Sequence, residues 1–171
     1  MMEWLSREWL TLLRLALFIP ILAYVVWTDV RKHIIPDMAI LIGLIGAAAL
    51  AGAESVLAQS WSPVWQMLLS FAIAGLPFAL VILVTRGGMG AGDMKLMALI
   101  GALFAWRVAL VTLFFGIVLA GLFAAGLLIF KKAGRKTKIP LAPFLAAGWG
   151  LVMAFHAPLA RTLWLYYGVV L

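Results

Sequence analysis

Gly87-Gly88-Met89-Gly90-Ala91-Gly92-Asp93-Met94-Lys95 interrupts a chain that is otherwise almost continuously apolar. Four glycines in six residues oppose a stable helix. Each loses backbone entropy on ordering and returns no side-chain packing. The flanks are strongly hydrophobic, from Val64 to Thr85 before the break and from Met94 to Ala105 after it. In a bilayer, irregular backbone survives only where protein buries it or water reaches it. The stretch therefore reads as a break between two membrane spans, closed by a carboxylate with a base two residues further on.

Composition extends this reading to the whole chain. Of 171 residues, 67% are hydrophobic and 11% charged, whereas a soluble domain is about half apolar and a quarter charged. The class is an all-α polytopic membrane bundle, one domain over residues 1–171. The net charge of +7 comes from short basic clusters between apolar runs, which suits anionic headgroups and does not suggest nucleic acid. There is no Cys, and the two histidines, His33 and His156, are far apart. Thiolate chemistry is excluded and a His-based metal cluster is disfavoured; no cofactor is expected. The N-terminus, with Glu3, Arg7 and Glu8 before a long apolar run, reads as a retained first helix and not a cleaved signal.

Six spans follow. The first runs from Trp9 to Trp27, with Arg14 snorkelling toward headgroups. It stops at a polar break from Thr28 to Asp37. The second covers Met38 to Ala53 and leads to a polar turn from Ala51 to Pro63. The third covers Val64 to Thr85, with Pro77 inside it. The fourth, Met94 to Ala105, is shorter than the roughly 20 residues of a standard crossing. After a tight connection at Trp106 and Arg107, the fifth reaches Phe130, and the sixth ends near Phe155. Gly43, Gly46, Gly116, Gly121 and Gly126 are read as close-packing positions.

The breaks after spans one, three and five hold nine bases: Arg31, Lys32, Arg86, Lys95, Lys131, Lys132, Arg135, Lys136 and Lys138. The other side holds four, Arg7, Arg14, Arg107 and Arg161. The positive-inside rule puts the first set in the cytoplasm and the N-terminus outside. Of six acids, Asp29, Asp37 and Asp93 then fall at cytoplasmic span ends. Acids near membrane depth are costly and mark function. Two carboxyls brought together share one proton, so that one activates water while the other donates to a carbonyl. This chemistry hydrolyses peptides with no thiol and no metal. The plainer alternative is an interhelical turn from Gly87 to Gly92, with Asp93 capping the next helix.

Gly90-Ala91-Gly92-Asp93 matches the GxGD motif of aspartic intramembrane peptidases, and Met94-Lys95-Leu96-Met97-Ala98 after it resembles the type IV prepilin peptidases. Asp29, then Arg31 and Ile35-Pro36, resembles that family's other aspartate region. Ile139-Pro140-Leu141-Ala142-Pro143-Phe144-Leu145-Ala146-Ala147-Gly148 resembles its late proline-containing stretch. The resemblance implies that Asp29 and Asp93 are the catalytic pair, with Gly90, Gly92, Lys95, Pro36 and Asp37 as motif or substrate-binding positions. It implies an endopeptidase of the bacterial inner membrane that removes a short basic leader from prepilins or pseudopilins, beside pilus or secretion assembly proteins. Where the family usually has Asn, this chain has Asp37, read here as a helix cap for span two. The large cytoplasmic insertion of the bifunctional members, linked to N-methylation, finds no counterpart, so the sequence looks like the short form.

Lys95 reads either as a modulator of Asp93 or substrate contact, or as a cytoplasmic anchor. Other readings of the same residues are another GxGD protease, such as a preflagellin or signal-peptide peptidase relative, a small proton-coupled transporter using Asp29 and Asp93, and a non-catalytic assembly subunit.

Overall fold

A computed structural model describes residues 2–85, 90–130 and 140–162, with side chains over 9–84, 90–130 and 140–155. Six helices alternate in direction: α1 (Met2–Lys32), α2 (Asp37–Leu57), α3 (Ser62–Thr85), α4 (Ala91–Phe104), α5 (Trp106–Ile129) and α6 (Ala142–Thr162). Four of them, α1 from Trp9 onward, α2, α3 to Val84 and α5, are long and apolar enough to cross a membrane. The C-termini of α1, α3 and α5 and the N-termini of α2, α4 and α6 share one end of the bundle. Segments 86–89 and 131–139, and with them Arg86, Gly87, Gly88, Met89 and the basic cluster from Lys131 to Lys138, lie outside the described residues, as does the tail beyond Thr162.

The helices run further than hydropathy alone suggests. α1 does not stop at Trp27 but continues through Asp29 to Lys32, since nothing before Pro36 forbids helix. It closes at His33, which takes a left-handed φ of 51° and donates its N–H to the Asp29 carbonyl at 2.9 Å. α2 continues past Ala53 through Glu54 to Leu57. It ends in a Schellman motif: Gln59 has φ 49°, Gln59 N–H reaches the Val56 carbonyl, and Ser60 N–H reaches Ser55. The turn expected from Ala51 to Pro63 is thus compressed to 58–61. The glycine break is also shorter, because Ala91 and Gly92 are already helical and Gly90 is the cap residue.

α4 is the central element, packed against α2, α3 and α5. Leu96, Met97, Leu99, Ile100 and Leu103 on it are fully buried or nearly so. Its partner α3 approaches so closely that a Cβ on Gly101 would fall on the Ser70 carbonyl oxygen and 2.5 Å from the Ala74 Cβ. α5 and α6 make a second close pair, where Gly148 lies over Thr112 O and Gly116 N. Gly43 seats Leu99, and Gly46 seats Leu17. Gly121 and Gly126 do not act as packing positions: among the described residues nothing lies within 4 Å of a Cβ built on either. Arg14 does not snorkel freely. It pairs with Glu54 at 2.5 Å, tying α1 to α2 at the end opposite the acids. Extending α2 past Ala53 is what brings Glu54 into reach.

Candidate active site

Asp29 sits in the last turn of α1 and is only 6% exposed. Its Oδ2 accepts a hydrogen bond of 3.0 Å from the Ala142 backbone N–H, across 113 residues of sequence. Ala142 opens α6, so this N–H is one of the donors that a helix start leaves without an intrahelical partner. Helix starts also favour negative charge. The late proline-containing stretch therefore serves to present a backbone donor to the first acid.

Asp93 occupies the first turn of α4, outside the four long spans, and is partly buried. It does not cap that helix: Gly90 is the N-cap, and no side chain bonds the free N–H groups there. Its pKa is raised to about 6, first by burial and second by the charge on Asp29. Both causes favour the protonated carboxyl. The two acids thus sense each other, although they come from helices joined mainly through α2.

A simple register explains why they face each other. Asp29 lies eleven residues after Phe18 on α1, and Phe104 lies eleven after Asp93 on α4. Eleven residues is slightly more than three helical turns, a rise of about 16 Å that returns a side chain to nearly the same face. Phe18 and Phe104 meet edge to face at 5.3 Å between ring centroids, with Trp149 against both. The helices run in opposite senses, so an aromatic contact deep in the bundle puts both carboxyls on facing sides at one height.

The two glycines of the motif have different tasks. A Cβ on Gly92 would come within 2.8 Å of the Ile35 Cβ, so Gly92 lets the α1–α2 connection lie against the start of α4. A Cβ on Gly90 would meet the Asp93 carboxyl at 3.1 Å; glycine keeps that approach open. Pro36 caps α2 from an extended conformation, with φ −68° and ψ 125°. Asp37 does not cap α2, because it is already the first helical residue. Its carboxylate instead takes the Lys95 ammonium at 2.6 Å. Lys95 therefore reaches toward α2.

The structure thus brings Asp29 and Asp93 together at one end, with Ile35, Pro36, Gly90, Gly92 and the Asp37–Lys95 pair around them. Sequence reasoning missed the Ala142 donor, the aromatic contact and the Asp37–Lys95 pairing. The eleven-residue spacings were visible, but only tertiary structure says that α1 and α4 meet. Among the described residues no three His, Asp or Glu side chains gather as metal ligands would.

Fold and site define a helical membrane protein with two mutually sensing carboxyls at one end of the bundle. The sequence model of the type IV leader peptidase family matches residues 16–125, more than half of the chain and both acids, and the chain belongs to that family. It is similar to a prepilin leader peptidase/N-methyltransferase of Bacillus subtilis, 33% identical over 131 residues that cover 77% of this chain and 51% of the relative. A protein of the same description from Stutzerimonas stutzeri is 31% identical over 123 residues, covering 71% and 42%. One from Pseudomonas putida is 42% identical over 69 residues, covering 40% and 24%. The chain spans about half the length of the curated relatives it matches. No solved structure matches it.

Proposed function

We propose that this chain is an aspartic endopeptidase that removes the leader from prepilin-like proteins, with Asp29 and Asp93 as its catalytic pair. The observation that carries the reading is the pair itself: two carboxyls in register on α1 and α4, one raising the pKa of the other, in a member of the leader peptidase family. The shared proton resides on Asp93. Asp29, oriented by the Ala142 N–H, takes a proton from water as the water oxygen bonds to the scissile carbonyl carbon. Asp93 donates a hydrogen bond, then its proton, to the carbonyl oxygen. Collapse of the tetrahedral intermediate breaks the C–N bond: the leaving amine takes the proton gained by Asp29, and one hydroxyl of the intermediate returns its proton to Asp93 as the new carboxyl forms. The basic distribution supports a cytoplasmic position for this end of the bundle, where a short basic leader would emerge from a membrane-inserted apolar helix.

The test is cleavage of a co-expressed prepilin, read as a mobility shift. Asp29→Asn and Asp93→Asn are each expected to abolish it, while Asp37→Asn keeps it detectable. Product formed by either of the first two would sink the assignment. Ion-coupled uptake by the purified protein, with no cleavage, would point to a carrier.

A further inference from the structure

The aromatic contact between Phe18 and Phe104 fixes where α1 and α4 meet, but it lies about 16 Å from the acids. At that lever arm a tilt of about 10° moves a helix end by about 3 Å. Errors of even 1 Å in reacting groups cost large factors in rate. The spacing of the acids is set by contacts nearer to them. Asp29 is held on the α6 side by the Ala142 N–H. Among the described residues, no hydrogen bond from α6 reaches the start of α4.

α3 packs along α4 as far as Met94, which lies near Gly75; on the side toward α1, the start of α4 is reached by the α1–α2 connection and by α2. The connection after α1 lies with Ile35 against Gly92. Two residues later, Asp37 opens α2 and accepts a hydrogen bond from the Lys95 ammonium at 2.6 Å. We propose that the Asp37–Lys95 ion pair is a positioning clamp, which ties the start of α2 to the start of α4 and so sets the spacing of the two acids. Neither residue touches the reacting atoms. The clamp rests on the catalytic reading of Asp29 and Asp93.

Its strength is bounded by its exposure. The Lys95 side chain is 40% exposed and that of Asp37 is 74% exposed. Such pairs are weak and screened by salt. A weak clamp makes a definite prediction: its loss slows the reaction modestly, affects the chemical step more than binding, and is mimicked by salt.

The experiment uses full-length protein in detergent with a prepilin substrate. Asp37→Asn and Lys95→Gln are each expected to lower kcat about two- to five-fold, with KM nearly unchanged. The exchange of Asp37→Lys with Lys95→Asp recovers most of that loss. Raising NaCl to about 1 M, where the screening length is about 3 Å, lowers wild-type kcat by a similar factor and leaves the single variants flat. A loss with Lys95→Gln but none with Asp37→Asn overturns the clamp and puts Lys95 on the substrate. Salt sensitivity that persists in Asp37→Asn also overturns it.

A readout independent of turnover separates failure of the clamp from failure of the catalytic pair. The chain has no Cys, so spin labels at Met38→Cys and Ala91→Cys report the α2–α4 distance without background. The distance distribution broadens on Asp37→Asn if the clamp exists, and an unchanged width overturns it. Cleavage by Asp29→Asn or Asp93→Asn would instead remove the pair that the clamp is argued to serve.

Discussion

Asp93 is a carboxyl whose surroundings raise its pKa to about 6, through burial first and the charge of Asp29 second. The sign of the pH dependence follows. If Asp29 and Asp93 act as proposed, the working state of the pair carries one proton, which is lost as pH rises through about 6, and kcat/KM is expected to fall on the alkaline side. The limbs of the profile belong to the pair jointly. Replacing either acid by Asn should leave no titrating pair to profile, whereas Asp37→Asn should keep both limbs. At this scale, Asp29 and Asp93 were legible in the sequence because acids are so scarce in it. Asp37 was misread as a cap, because local sequence cannot reveal that Lys95 arrives from another helix. The same holds for Arg14, whose partner Glu54 is forty residues away.

At the level of elements, the spans could be read because their apolar runs approach membrane thickness. Their ends could not, because Asp29 and Glu54 are polar yet remain helical. Hydropathy marks where lipid stops, while hydrogen bonding and left-handed caps mark where the helix stops. Glycine positions show a similar divide. Gly101 and Gly121 look alike in sequence, but only Gly101 carries a neighbouring helix against its backbone. Gly101→Ala is expected to destabilise the protein by about 1–3 kcal/mol, because the α3 backbone has to move. Gly121→Ala should raise stability by up to about 1 kcal/mol through helix propensity. Thermal unfolding in detergent would give opposite shifts for the two variants, and equal shifts would contradict the packing.

For the whole molecule, the all-α class and helix order followed from hydropathy, whereas the arrangement did not. Periodicity in a uniformly apolar chain says little about which face meets which neighbour. Placing the short α4 at the centre, where its Phe104 meets Phe18 of α1, is a tertiary outcome. The shortness of α4 has a further consequence for the surrounding lipid. Fourteen residues rise only about 21 Å, against a hydrocarbon layer of about 30 Å. The helix ends at exposed Ala105, whose backbone has φ 73° and ψ 155°. Trp106 and Arg107 follow at once, the guanidinium lying 5.1 Å from the indole centroid. An indole and a cation at that point seek headgroups, while Asp93 at the other end needs water. Because α2, α3 and α5 cover α4 along its length, the shortfall is met by protein and not by lipid, so a helix too short to cross the bilayer stands inside it without deforming it.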